Sequence, residues 1–416
     1  MNGFKNDIVI IGTGRVGLPL GLMLSKVGFK SSGVDKDMDI ANSVNNKKMP
    51  FNEAHFDEII KDVDFNVACD FENLAETKNI IITVGTPLLS HIETDLSQLN
   101  SVLEELTGKI VPSHNIILRS TVAPKTTEYV KKFLEKKTDY VIGKDIFLSF
   151  CPERIAEGKA YTELQELPQI IGAEDEESFR LANNIFSRLT KKTFKTNFLS
   201  AELVKLFNNI SRYANFAISN HFAIVADDFG QNIYDILEMA NSDYPRGNIS
   251  TPGFTAGTCL RKDFGMISEN IPYSDIFLSS WKVNESIPKF LVENLNKRCE
   301  ISNKNVAVLG YTFKQDADDT RDSLVPKLIR YLEREVPSKI MVSEPFLEYI
   351  DDKYKNYPLI NAVKKADIIY ISTNHSEFIE KRDKILKNAK VDCYFVDLWN
   401  VLGKNKIFFR KSDVEI

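Results

Sequence analysis

Residues 250–265 read S-T-P-G-F-T-A-G-T-C-L-R-K-D-F-G, so Cys259 stands in small-residue loop sequence and is followed at once by Arg261, Lys262 and Asp263. The thiolate is the reactive form of cysteine, and adjacent cations stabilise it. Taken alone, the stretch also suits a cysteine buried as a small hydrophobe beside a turn. Lys205 and Asn209 are four residues apart in a long apolar-periodic run and project from one helical face. An ammonium and an amide donor aimed together hold an oxyanion or polarise a water, whereas a snorkelling lysine beside a surface asparagine would be inert.

A third group lies at the start of the chain. I-V-I-I-G-T-G-R-V-G places Gly12, Gly14 and Gly17 after an apolar run and at the opening of a helix. The first glycine permits a tight turn, the second admits a pyrophosphate to the backbone, and the third lets helix and strand pack closely. The next run ends S-S-G-V-D, so Asp35 falls about 20 residues on, where an acid hydrogen-bonds the adenosine ribose. A carboxylate there repels a 2′-phosphate, which makes NAD rather than NADP the expected cofactor.

Positioning these groups requires strands and helices in alternation. Apolar runs at 8–11, 31–35, 80–84, 116–120, 146–150 and 169–172, separated by amphipathic segments, predict a doubly wound parallel sheet over residues 1–195. At or just beyond the strand ends, where open α/β sheets bind ligands, come Thr86 and Pro87, Ser120 and Thr121, and Glu153 and Glu157. Cys151, between an apolar strand and Pro152, reads as structural. From Ser200, which reads as an N-cap with Glu202 in the first turn, a helix of about twice the usual length runs to a stop at Gly230. It is apolar on more than one face, which suits a spine packed on several sides and a dimer surface. Strand-like runs at 305–309, 339–343, 367–371 and 394–397 predict a second α/β domain. The expected organisation is therefore α/β, with two Rossmann-like doubly wound domains (1–195 and 299–416) joined by a long central helix and a helical dimerisation region (196–298).

Composition narrows the function. A chain of 416 residues with formal charge −5 and interspersed acids and bases lacks the basic face of a nucleic-acid binder. Its five cysteines are scattered, with no C-x-x-C pair and no histidine at metal spacing, so neither a disulfide framework nor a structural metal is expected. The N-terminus lacks the basic flank of a signal peptide, and no apolar run is long enough for a bilayer. A cytoplasmic protein without membrane insertion is expected.

Taken in order, G-T-G-R-V-G, T-V-G-T-P, S-T-V-A-P, P-E-R-I-A-E-G, E-L-V-K-L-F-N-N, Y-P-R-G-N-I, P-G-F-T-A-G-T-C-L-R-K-D and F-K-Q-D-A-D-D-T-R-D-S make the chain resemble the UDP-sugar 6-dehydrogenases over nearly its whole length. The resemblance implies oxidation of the C6 hydroxymethyl of a UDP-sugar to a carboxylate by two NAD in succession. Cys259 would be the nucleophile, forming a thiohemiacetal and then a thioester. Asp263 and Lys205 would manage protons and the developing alkoxide, Asn209 would be a second oxyanion donor, and Glu153 and Thr121 would place water for thioester hydrolysis. The cofactor would meet Gly12, Gly14, Arg15, Val16, Gly17, Asp35, Thr86, Thr121, Glu157 and Arg321. The substrate would meet Glu153, Arg154, Lys205, Asn209, Arg212, Arg246, Phe254, Gly257, Phe313 and Lys314, with Arg246 reaching the site of a neighbouring subunit in a homodimer.

The spacing N-x-x-R-x-x-N through Asn209, Arg212 and Asn215 resembles the N-acetylhexosamine branch, so UDP-N-acetylglucosamine or UDP-N-acetylmannosamine is the expected substrate, ahead of UDP-glucose. The product would be a uronic-acid precursor of surface polysaccharide. Thr258 and Arg261 depart from common residues without removing a proposed chemical group, and His221 follows Asn220 where relatives often carry glutamate. Trp399 stands where many relatives carry a substrate-binding arginine, and it leaves room for a nucleotide-sugar sensor without turnover. A two-electron hydroxyacid dehydrogenase would share the first domain but have no need of Cys259.

Overall fold

The computed structural model describes residues 4–414 except 73, 90–92 and 270–274, with 258–261 described by their backbone alone. Its strands are short and most of their residues are buried, as expected where helices cover both faces of a sheet and leave no solvent side for polar alternation. The first sheet comprises β1 (Asn6–Ile11), β2 (Ser31–Val34), β3 (Val67–Ala68), β4 (Thr77–Ile82), β5 (Asn115–Leu118), β6 (Phe147–Phe150), β7 (Gln169–Gly172) and β8 (Thr193–Thr196). Their order is β3-β2-β1-β4-β5-β6-β7-β8. The second comprises β9 (Asn305–Leu309), β10 (Lys339–Ser343), β11 (Ile368–Ile371), β12 (Tyr394–Asp397) and β13 (Phe408–Arg410), in the order β10-β9-β11-β12-β13. Neighbouring strands run parallel except at β6/β7 and β12/β13.

The predicted strands are all present. β3, β8 and β13 escape the sequence for local reasons: β3 has two residues, β8 (T-F-K-T) has a single apolar residue and lies at a sheet edge, and β13 is a three-residue antiparallel edge. In each sheet the strand order reverses once beside the first strand, between β1 and β4 and between β9 and β11. Such reversals open a crevice at the carboxyl ends of the strands, and ligands bind there.

Residue contacts divide the chain into two compact units, 1–208 with 262–273, and 209–261 with 274–416. The long helix Phe198–Asp228 supplies residues to both. Its cap differs from the sequence reading, because Asn197 rather than Ser200 does the capping: the Ser200 N–H donates to Asn197 Oδ1 at 2.7 Å. The predicted stop is present, with Gly230 at φ +67° and the Gln231 N–H donating to the Ala226 carbonyl at 2.8 Å. This is a left-handed C-terminal cap, a conformation that glycine adopts without the strain a Cβ would bring.

Glu202 also acts away from its own helix. Its buried carboxylate accepts the N–H groups of Lys125 and Thr127, each at 2.7 Å, and the Thr127 hydroxyl at 2.6 Å. These N–H groups open the helix Thr126–Thr138, so the acid neutralises the positive end of that helix and ties it to the long one. Burial pushes the Glu202 carboxyl up, and the three donors oppose that shift without cancelling it. Glu202→Ala leaves the donors buried without an acceptor, and about 3 kcal/mol of stability is expected to be lost. Glu202→Gln, which keeps one acceptor oxygen, loses less. The urea midpoints of the two variants check both values.

Candidate active site

At the β1/β4 reversal the glycine loop forms a cleft of about 280 Å³, lined among others by Gly12, Gly14, Asp35, Thr83, Gly85 and Gln98. Gly12 turns with φ +92°, a conformation that side chains rarely adopt. A Cβ at Gly14 would meet nothing within 4 Å, so the backbone there is open to a ligand. A Cβ at Gly17 would lie 2.0 Å from the Gly12 carbonyl oxygen, so helix and strand close on each other only because glycine is there. Asp35 accepts from the Thr13 N–H at 2.6 Å and the Asp37 N–H at 3.0 Å, which fixes its carboxylate at the cleft wall. The three glycines and the acid fit a dinucleotide: an exposed backbone for the pyrophosphate and a carboxylate for the ribose. Arg15, just beyond, is ion-paired with Glu157 and stacks on Phe51 at 5.0 Å, which brings these two predicted cofactor residues together; Val16 adjoins it at the head of the helix Gly17–Lys26.

The other strand ends of the first unit converge on one another. Thr86 is buried; its hydroxyl donates to the Thr121 carbonyl and accepts from Lys262 Nζ at 3.2 Å. Ser120 donates to the Val84 carbonyl at 2.7 Å. Glu153 is buried and accepts the Ile155 N–H, while Arg154 donates to the Pro168 carbonyl, and burial lowers its pKa. Beneath them Arg119, buried and likewise lowered by desolvation, donates to the Cys151 carbonyl at 3.1 Å and to Gln169 Oε1 at 2.9 Å. Burial pushes the Cys151 thiol up to about 12, which agrees with its reading as an inert core residue.

On the long helix Lys205 and Asn209 are both buried, one turn apart. Arg212 donates to Asn209 Oδ1 at 3.1 Å, which fixes that oxygen as the amide's accepting end. Cys259, which the sequence places in a loop, stands instead in the first turn of the helix Thr258–Ser268, because the small-residue run ends at Gly257, and the wholly buried Asp263 follows it one turn on. The Cys259 side chain lies outside the described residues.

In the second unit, the loop after β9 carries Phe313, Lys314 and Arg321. Phe313 packs on Gly257 of the cysteine loop so closely that a Cβ there would lie 2.6 Å from the ring. The nearly buried Asp319 holds Arg321 with a fork, Nε to Oδ1 at 2.9 Å and Nη2 to Oδ2 at 2.6 Å, while the Arg321 side chain itself is exposed. Lys314 is half-buried and Phe254 is buried in the hydrophobic core of this unit. Arg246 is exposed at the surface, its Nε donating to the Tyr244 hydroxyl at 3.0 Å.

Sequence reasoning missed the residues that hold this loop in place. Buried Glu344 accepts the Tyr311 N–H at 2.7 Å and the Thr312 N–H at 3.2 Å. His375 Nδ1 accepts the Asp316 N–H at 2.9 Å, so the ring proton is on Nε2, which faces Glu344 Oε2 at 3.1 Å. Burial alone would raise the Glu344 carboxyl, but the His375 bond and the backbone donors hold it below its ordinary value. Glu344 lies 33 residues from Tyr311 on a different strand end, and no local pattern joins them. Trp399, at the position where many relatives carry a substrate-binding arginine, lies over Gly253, and its Nε1 donates to the Ser372 carbonyl at 3.1 Å.

Comparison with known proteins adds the chemistry. Three domains of the UDP-glucose/GDP-mannose dehydrogenase family match: the NAD binding domain over residues 6–190, the central domain over 199–287 and the UDP binding domain over 307–404. The UDP-N-acetyl-D-mannosamine dehydrogenase of Methanocaldococcus jannaschii is 32% identical, over 97% of this chain and 94% of its own. The solved structure of the UDP-D-ManNAc dehydrogenase of Pyrococcus horikoshii is 30% identical, with TM-score 0.85 over 95% of this chain and 96% of its own. That of the UDP-N-acetyl-mannosamine dehydrogenase of Staphylococcus aureus is 26% identical, with TM-score 0.84 over 95% of each chain.

Proposed function

Because the chain belongs to the UDP-glucose/GDP-mannose dehydrogenase family and is thus an NAD-dependent nucleotide-sugar dehydrogenase, we propose that it oxidises UDP-N-acetyl-D-mannosamine to the corresponding uronate. The observation that carries the choice of sugar is the 32% identity, over 97% of the chain, to a relative of that name. The Asn209–Arg212 pair on the long helix agrees with it.

NAD would be held by Gly12, Gly14, Gly17 and Asp35 and, when bound, would supply the hydride acceptor for each of the two oxidations. The chain's own residues do the rest. Lys205 and Asn209 steady the oxygen of C6 as its proton leaves. The Cys259 thiolate adds to the resulting aldehyde and gives a thiohemiacetal; loss of the second hydride leaves a thioester. Glu153 and Thr121 place the water that cleaves the thioester, releasing the carboxylate and restoring the thiol. Overall one CH₂OH, two NAD⁺ and one water give one carboxylate, two NADH and three protons. Asp263, buried one turn from Cys259, serves as proton carrier. Lys314 and Arg321 bring cations to the diphosphate and the cofactor.

In this reading, residues 1–195, 196–298 and 299–416 act as the NAD-binding, dimerisation and UDP-sugar-binding segments. Ile218, Phe222 and Val225 on the long helix and Phe229 just past its end, spaced three or four apart, are exposed apolar side chains, and Ile236 and Met239 add to them. An apolar stripe of this kind suits a second copy of the chain, and Arg246 of each copy would complete the other's site. No helix among the described residues is long and apolar enough to cross a membrane; the reaction is proposed for the cytoplasm, supplying a surface polysaccharide. The test is kcat/KM for UDP-ManNAc, UDP-GlcNAc, UDP-GalNAc and UDP-glucose. UDP-ManNAc is expected to lead by at least about tenfold, a margin worth about 1.4 kcal/mol in transition-state binding. A lead for UDP-glucose would overturn the choice of sugar.

A further inference from the structure

Asn220, on the long helix, is wholly buried and spends its side-chain amide on one glycine. Its Oδ1 accepts the Gly253 N–H at 2.9 Å and its Nδ2 donates to the Gly253 carbonyl at 3.0 Å. The same Nδ2 donates to Asn284 Oδ1 at 2.9 Å, and Asn284, also wholly buried, donates in turn to the Tyr213 carbonyl at 3.2 Å. The amide is therefore fixed in orientation by a chain of bonds that returns to its own helix. Gly253 lies six residues before Cys259. Its other side is closed by Trp399, for a Cβ on Gly253 would come within 2.3 Å of the indole ring. Trp399 is itself anchored through Nε1 to Ser372 and packs edge-on to Phe216 at 6.4 Å.

We infer that Asn220 and Trp399 form a clamp on Gly253 that positions the loop delivering Cys259, and that Trp399 is a positioning residue where an arginine was expected. The clamp holds both backbone groups of one residue and covers its Cα face, which leaves the loop no freedom to slide along the helix. A purely space-filling role would not require a two-way amide pairing with backbone, nor an asparagine whose own orientation is fixed by a second buried asparagine. The inference rests on the reading of Cys259 as the nucleophile. If the loop shifts by an ångström, the thiolate misses the aldehyde, and rate losses near 10²-fold accompany displacements of that size.

The test is Asn220→Asp, which keeps the acceptor for the Gly253 N–H but places an oxygen against the Gly253 carbonyl and Asn284 Oδ1. The assay uses the purified full chain with UDP-ManNAc, NAD and hydroxylamine as aldehyde trap. The expected result is a kcat lowered about 10²-fold with both KM values within about threefold of the parent, NADH per sugar falling from two towards one, and trapped aldehyde appearing. An unchanged kcat with no trapped aldehyde would overturn the inference. Should Asn220→Asp fail to fold, Gly253→Ala takes its place. It is expected to lower kcat by forcing the added methyl against the indole, and Trp399→Ala in the same chain is expected to restore part of the loss; no restoration would count against the clamp. Cys259→Ala is run beside them. Full uronate formation by that variant removes the nucleophile itself, whereas an inactive Cys259→Ala with a normal Asn220→Asp removes only the clamp.

Discussion

Cys259→Ala is expected to lower uronate formation by on the order of 10⁶-fold, the scale of loss when a nucleophile is removed and only the binding and orientation of the remaining site act. The first oxidation removes a hydride from an alcohol and needs no thiol, so the variant is expected to stop at the aldehyde and to release one NADH per sugar in the presence of hydroxylamine. Cys259→Ser separates geometry from chemistry. A serine hydroxyl has nearly the same size but far too high a pKa to supply an anion at neutral pH, and its ester would hydrolyse more slowly than a thioester. It is expected to resemble the alanine variant. Rapid-quench measurement of NADH and aldehyde checks both variants, and the thermal midpoint confirms that they fold.

Lys205→Met is the second large effect. The side chain is buried on the long helix one turn before Asn209, and methionine preserves its length and apolar contacts while removing the ammonium. Loss of one donor to a developing oxyanion costs on the order of 10²- to 10³-fold in kcat. In the proposed mechanism both hydride transfers and the hydrolysis pass through a charged oxygen on C6, so every step is expected to slow. KM for the UDP-sugar is expected to move little, because the nucleotide is held elsewhere. Lys205→Arg keeps the charge but not the compact ammonium, and it is expected to recover only a small part of the activity.

Much of the fold and of the candidate site is legible in the residues alone. β9, β10 and β12 begin and end where the apolar runs do, and the glycine loop with Asp35 forms the crevice its spacing implies. Apolar strands buried on both faces leave an unmistakable pattern. The clustering of Thr86, Thr121 and Lys262 leaves no such trace, since residues 35 and 176 positions apart meet only through the tertiary fold. Glu344 and His375 escape notice because a buried carboxylate that collects backbone N–H groups looks, in sequence, like any solvated acid after a strand. The cap of the long helix falls three residues before the expected Ser200 because Asn197 and Ser200 are both competent caps, and only backbone geometry selects between them. Trp399 shows the opposite case. In sequence it reads as a loss of charge, and the fold uses its ring to cover a glycine.

The proposed reaction is a four-electron oxidation of one UDP-sugar at one site. The most direct test is the NADH formed per molecule of limiting UDP-N-acetyl-D-mannosamine by the purified chain with NAD in excess. Two NADH, with the uronate as sole sugar product and no aldehyde trapped, is the predicted result. One NADH would contradict it and make the chain a two-electron dehydrogenase; none, with the UDP-sugar tightly bound, would make it a sensor.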